Sequence, residues 1–67
     1  MTKITKIRRL NGLSQKRLAA AVGISLTQMN LIENLRYKPR PVTLIKIARV
    51  LEADPAELLL PWDELNE

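Results

Sequence analysis

The chain has 67 residues, a length that suits one domain near the lower size limit for a core that folds unaided. With 46% hydrophobic and 27% charged residues, it is too apolar to be a disordered segment. It contains no cysteine and no histidine, which excludes disulfides, thiolate metal sites and the common nucleophile–base pairs of enzymes. We therefore expect no enzymatic activity, metal, cofactor or small-molecule substrate. No apolar run approaches the roughly 20 residues that span a bilayer, so a soluble, cytoplasmic protein without a membrane partner is expected.

The charge is distributed unevenly along the chain. Residues 1–50 contain all 11 Lys and Arg and one acid, Glu33, whereas residues 51–67 contain six acids and no base. A block this basic attracts polyanions, and nucleic acid is the most abundant candidate. The same distribution also fits an ordinary solvated surface with an acidic tail for solubility. Charge alone leaves both interpretations open.

The first two of five helical patterns cover residues 2–10 and 15–22. Thr2 can cap the first helix, and three aliphatic residues recur on one face at a three-residue step: Ile4, Ile7 and Leu10. Asn11-Gly12 is expected to end this helix, because both residue types readily take the left-handed conformation. Ser14 caps the second helix and Gly23 ends it, with three residues expected on its buried face: Leu18, Ala19 and Val22.

The third pattern covers residues 25–33, where Ser25 as cap and Gln28 three residues later make a capping box. The fourth begins with Pro41 in its first turn, and its buried stripe is expected to contain Leu44, Ile47, Ala48 and Leu51. The fifth begins with Asp54 as cap and Pro55 in its first turn, runs through Leu58 and Leu59, and is expected to end at Pro61. The sequence therefore predicts an all-α, compact five-helix bundle in residues 1–60, followed by a short acidic tail, 61–67.

The segment "SQKRLAAAVGISLTQMNLIEN" has the features of a helix-turn-helix. Ala19 is small enough for the second and third helices to cross closely, and Gly23 can take a positive φ in the turn between them. Three aliphatic side chains would then point back to the core: Ile24, Met29 and Ile32. The second helix of such a unit can enter a DNA major groove.

On these residues the sequence resembles the phage repressor and Cro-like helix-turn-helix family of XRE-type transcriptional regulators. The resemblance rests on four motifs in order and at the family's spacing: "GLSQKRLAAAVGIS", "IEN" closing the third helix, "TLIKIARVL" and "DPAELL". It implies a lambda-repressor-like bundle that binds double-stranded DNA. It also implies a transcriptional repressor that acts as a homodimer on a pseudo-palindromic operator.

The resemblance further implies roles for individual residues. Five residues of the third helix would contact bases: Leu26, Thr27, Gln28, Asn30 and Leu31. Six residues at the start of the second helix and after the third would contact phosphates: Ser14, Gln15, Asn34, Arg36, Lys38 and Arg40. Arg8 and Glu33 would form a buried or half-buried ion pair that ties the first helix to the third.

Some of these residues have a second interpretation. Gln28 can act only as the partner in its capping box, and the charged loop after the third helix can be merely solvated. On a helical wheel, Thr27 points outwards, Leu26 shelters partly against the edge of the core, and Leu31 does not. Leu31 is therefore expected to touch a thymine methyl group, or alternatively a protein.

The main alternative function is a protein-binding module of the same fold, antitoxin-like or docked on a phage or host protein. Its contact surface would contain Leu26, Leu31 and Leu35. RNA binding through the basic half is also conceivable, but two aromatic residues are too few for base-stacking platforms.

The C-terminal part is the better candidate for dimerisation, because its acidic charge would repel DNA. Its apolar residues are Leu58, Leu59, Leu60, Trp62 and Leu65. Closure of the core over Trp62 is the other interpretation for Leu58 and Leu59.

The sequence departs from the family at two helix ends. Leu35 follows "IEN" where the family usually has glycine, and Glu52 stands where glycine often ends the fourth helix. We therefore expect Asn34 or the loop to turn the chain in another way after the third helix.

Overall fold

All regular secondary structure in the described part of the chain is α-helical. The computed structural model describes residues 2–65, and the side chains of residues 2–62. Its elements are α1 (Lys3–Leu10), α2 (Gln15–Val22), α3 (Leu26–Glu33), α4 (Pro41–Leu51) and α5 (Pro55–Leu65). The predicted all-α, five-helix fold is confirmed. None of these described helices has the length and apolar character needed to cross a membrane.

The first three helices begin at hydroxyl caps, as predicted. The hydroxyl of Thr2 accepts a hydrogen bond from the backbone N–H of Thr5 at 3.2 Å, and that of Ser14 accepts one from Arg17 at 3.0 Å. Ser25 accepts one from the backbone N–H of Gln28 at 3.0 Å. These bonds satisfy N–H groups that have no partner inside the helix.

The first four helices share one way of ending, the Schellman motif, in which the chain turns through a left-handed residue. At the end of α2, the N–H of Ile24 donates to the carbonyl of Ala19 at 3.0 Å and that of Gly23 to Ala20 at 3.3 Å. Corresponding bonds close α1, α3 and α4. The left-handed residues and their φ angles are Gly12 (69°), Gly23 (85°), Leu35 (59°) and Glu52 (55°).

The expectation that the chain avoids a left-handed turn at Leu35 is wrong. Leu35 itself takes the place of the family's glycine, with its N–H donating to Ile32 at 3.2 Å, while Arg36 donates to Leu31 at 2.9 Å. A left-handed L-residue costs about 1–2 kcal/mol. The Leu35 side chain, which packs against the core, offsets part of that cost.

The core lies where all five helices meet, and the predicted inward faces of α2 and α4 are confirmed. Its buried members are Ile4, Leu18, Ala19, Val22, Met29, Ile32, Leu44, Ile47, Ala48, Leu51, Leu58 and Trp62. Several half-buried residues that follow helix ends pack on this cluster, including Leu13, Ile24 and Ala53. The short loops are therefore held by the same apolar contacts as the helices.

The expectation that Leu10 shares one face of the first helix with Ile4 and Ile7 is wrong, because Ile4 is fully buried whereas 76% of the Leu10 surface is exposed. A three-residue step falls about 60° short of a full helical turn, so two such steps from Ile4 carry Leu10 about 120° away from the core. The buried residues of α1 besides Ile4 are instead polar, Thr5 and Arg8.

The prediction that Pro61 ends the fifth helix is also wrong, because α5 continues to Leu65 with Pro61 inside it. Proline removes one helical hydrogen bond, the one that residue 61 would have donated to Glu57. Trp62, only 4% exposed, anchors the following turn in the core.

The apolar C-terminal residues contribute mainly to core closure, which was one of the two interpretations. Leu58 and Trp62 are buried and Leu59 is half-buried, whereas Leu60 is 45% exposed. The side chain of Leu65 lies outside the described residues. Of the described candidates for a dimer contact, only Leu60 therefore presents a largely free apolar surface.

Candidate nucleic-acid interface

The turn between α2 and α3 sets the orientation of α3. Gly23 has φ 85°, and the carbonyl of Ala19 accepts hydrogen bonds from the N–H groups of Gly23 at 2.9 Å and Ile24 at 3.0 Å. Ala19 is 2% exposed, so its methyl group fills the space where the two helices cross. Met29 and Ile32 are fully buried, as predicted. The opposite face of α3 therefore faces away from the core.

The outer face of α3 combines aliphatic and hydrogen-bonding side chains. Thr27 and Asn30 are exposed and Gln28 is half-buried. Leu26 is 47% exposed and Leu31 is 37% exposed, so the expectation that Leu26 is the better sheltered of the two is wrong. Helical side chains lean towards the preceding turn, and Leu26, as the first helical residue, has no such turn to cover it.

Three side-chain amides connect this face to its neighbours. The Nδ2 group of Asn30 donates to Oε1 of Gln15 at 3.4 Å, which links α3 to the start of α2. The Nδ2 group of Asn34 donates to the backbone carbonyl of Asn30 at 2.8 Å and to its Oδ1 at 3.3 Å. The amide of Asn30 is therefore engaged at both ends by long hydrogen bonds. All three residues were predicted as interface residues from the sequence, but the bonds between them were not.

The start of α2 is unusually basic for a helix N-terminus. Lys16 and Arg17 are exposed in its first turn beside Ser14 and Gln15, and this turn contains no acid. The helix dipole disfavours positive charge at this end, and a bound anion would relieve that repulsion. Lys16 and Arg17 were not predicted as interface residues from the sequence. Their position in the first turn beside Ser14 was the available signal.

The loop between α3 and α4 carries the other positive charges of this surface. Arg36, Lys38 and Arg40 are exposed, and none of their side chains takes part in a hydrogen bond or ion pair in the described part of the chain. Pro39 is buried and so holds the middle of the loop against the domain. The guanidinium and ammonium groups are therefore free to contact an anion beside α3.

A buried ion pair holds α1 against α3. Nε of Arg8 donates to Oε2 of Glu33 at 2.9 Å and its Nη2 to Oε1 at 3.0 Å, in the two-bond geometry preferred by guanidinium and carboxylate. Thr5 donates its hydroxyl to the same Oε1 at 2.7 Å, and Arg8 also bonds the carbonyl of Leu13 at 2.8 Å. Thr5 is a partner that sequence reasoning missed. The network fixes the end of α3 from which the basic loop departs.

Comparison with known proteins identifies this arrangement. A helix-turn-helix family model matches residues 4–58. The chain belongs to this family. An uncharacterized HTH-type transcriptional regulator, y4dJ, from Sinorhizobium fredii is 32% identical over 63 residues, covering 94% of this chain and 82% of the relative. No solved structure gives a significant match.

Family membership confirms the XRE-type assignment made from the sequence motifs. Members of this helix-turn-helix family are DNA-binding transcription regulators and are typically not enzymes. The surface formed by the start of α2, the outer face of α3 and the basic loop is therefore the candidate DNA interface of this chain.

Proposed function

We propose that this protein is a sequence-specific repressor of transcription that places α3 in the major groove of double-stranded DNA. The observation that carries the proposal is the exposed outer face of α3, flanked in the following loop by basic side chains that have no ion pair with the described residues. Base edges would be read by Leu26, Thr27, Gln28, Asn30 and Leu31. Phosphates would be bound by Ser14, Gln15, Asn34, Arg36, Lys38 and Arg40.

In this proposal, the base contacts of α3 depend on hydrogen-bonding and apolar groups rather than on charge. Thr27 can bond a base edge directly. The amide of Asn30 can do so by exchanging its bonds to Gln15 and Asn34, which are long at 3.4 and 3.3 Å and therefore weak. Leu31 offers an aliphatic surface to the methyl group of thymine, the one apolar feature of the major groove.

The protein would bind as a homodimer on a pseudo-palindromic operator. One recognition helix covers only a few base pairs, so useful specificity requires two copies whose half-sites lie about 34 Å apart, one turn of the duplex. The exposed Leu60 is compatible with a contact between copies.

Selection of bound fragments from random double-stranded DNA, followed by sequencing, tests the proposal. We expect an enriched sequence with two-fold symmetry. We also expect the affinity for DNA to fall steeply as the salt concentration rises, because Lys and Arg side chains that contact phosphates release counterions from DNA. Failure to bind mixed DNA even at low salt would refute the proposal. It would favour a protein-binding module instead, for which the exposed Leu26 and Leu31 are the available contact.

Replacing Leu31 by alanine tests the thymine contact. Affinity for the selected site is expected to fall by about 1 kcal/mol or more, whereas affinity for unrelated DNA should not change. Leu10→Ala is the matched control, because Leu10 is an exposed leucine on α1, outside the proposed interface. An equal loss on selected and unrelated DNA, or an equal loss in the control, would contradict this role of Leu31.

A further inference from the structure

The outward face of α4 is amphipathic and lies outside the proposed DNA interface. Its apolar residues, Val42, Ile45 and Val50, are 64%, 46% and 36% exposed. Lys46 and Arg49 lie between them on the same face, and their side chains form no hydrogen bond or ion pair with the described residues. Exposed apolar patches bordered by polar side chains mark surfaces that contact another molecule.

This face borders a groove of about 410 Å³ between the end of α2 and the second half of α4. The basic groove, as we call it, is lined by small and aliphatic residues and by two bases: Ala20, Ala21, Val22, Gly23, Lys46, Arg49 and Val50. It lies at the opposite end of α2 from Ser14 and Gln15, about 12 Å away for a helix of this length. Lys46 and Arg49 are therefore distant from the proposed phosphate contacts of α2.

The chemistry of the basic groove suits an acidic, aliphatic polypeptide better than a nucleic acid. Phosphates would pair with Lys46 and Arg49 but would leave the aliphatic surface of Val50 and the two alanines without a partner. An acidic helix that also carries leucine can contact both parts of the groove.

This chain contains such a helix itself. Three of the six acids in residues 51–67 lie within α5, which contains no basic residue: Glu57, Asp63 and Glu64. On α5, Glu57 and Leu60 are both exposed and stand three residues apart, so they share one face. Oε2 of Glu57 also lies 4.0 Å from Nζ of Lys3, but the two side chains are 56% and 49% exposed, respectively. An exposed pair at that distance is weak, and a contact with another molecule can replace it.

We propose that the basic groove of one copy receives the α5 face of a second copy, with Glu57 opposite Lys46 and Arg49 and Leu60 against Val50. This proposal rests on the proposed homodimer and specifies the two surfaces that form its interface. It also explains why the chain separates its charges, since a basic body and an acidic C-terminal helix attract each other between molecules.

Sedimentation equilibrium of the full chain without DNA tests this inference, so its failure is distinguishable from a failure of DNA binding. The wild-type protein is expected to self-associate. The groove variant Lys46→Glu/Arg49→Glu and the α5 variant Glu57→Lys are each expected to weaken association about tenfold or more, because attraction becomes repulsion. An equimolar mixture of the two variants should associate again, since the reversed groove then meets a reversed α5.

A charge-matched variant, Arg36→Glu/Arg40→Glu, is the control, because it makes the same change in net charge in the loop after α3. It should associate like the wild type, and circular dichroism should show that every variant is folded. A wild-type protein that stays monomeric would overturn the inference. So would a loss in the control equal to that in the groove variant, or a mixture that does not associate. If groove reversal lowers DNA affinity but leaves association unchanged, the groove contacts DNA and the inference is wrong.

Discussion

The left-handed residue at the end of α4 gives the sharpest stability prediction. Glu52 has φ 55°, and its exposed side chain forms no hydrogen bond or ion pair with the described residues. Replacing it by glycine removes the clash of Cβ with the backbone, which costs about 1–2 kcal/mol in this conformation. Glycine also lowers the free energy of unfolding by roughly 0.5–1 kcal/mol, because it increases the conformational freedom of the unfolded chain. Glu52→Gly is therefore expected to stabilise the fold by about 0.5–1 kcal/mol.

This gain is large enough to measure by thermal unfolding. For a chain of 67 residues, the unfolding entropy is about 0.14 kcal/mol per degree, so Tm should rise by about 4–7 °C. Glu52→Ala is the matched control, because it also removes a carboxylate from the negative end of the helix dipole but keeps Cβ. The difference between the two variants isolates the backbone effect. If alanine raises Tm as much as glycine, or if glycine lowers it, the reasoning about the left-handed turn is refuted.

Two further predictions concern the ion pair and the proline in α5. Glu33→Gln should destabilise the fold by about 3 kcal/mol in urea unfolding, because it leaves the guanidinium of Arg8 buried without its counter-charge. Lys3→Gln, which alters the exposed pair with Glu57 from the side that lies outside the proposed dimer contact, should change stability by less than about 0.5 kcal/mol, and equal effects would contradict the importance of burial. Pro61→Ala should stabilise the fold by about 1–2 kcal/mol and increase helical circular dichroism, since it restores an N–H inside α5. A decrease in either quantity would contradict a helix that continues through residue 61.

The sequence by itself determined the features that depend on near neighbours along the chain. Hydroxyl caps, first-turn prolines and small residues before a glycine act within one or two helical turns, so the helix starts, the inward faces of α2 and α4 and the helix-turn-helix were all predictable. The same local pattern, with its ordered motifs, was enough to identify the family. It also named the residues of the candidate interface, although their contacts with DNA remain a proposal.

The tertiary structure alone decided what depends on packing between distant segments. The chain takes left-handed turns at Leu35 and Glu52, where Leu35 itself and Ala53, the residue after Glu52, pack against the core. These contacts offset a backbone cost that no local preference would overcome. α5 continues through Pro61 because Trp62 is buried in the core, and no local signal reports that burial. The bond between Gln15 and Asn30 joins residues on two helices, so it exists only once the turn at residue 23 has placed α3 against α2.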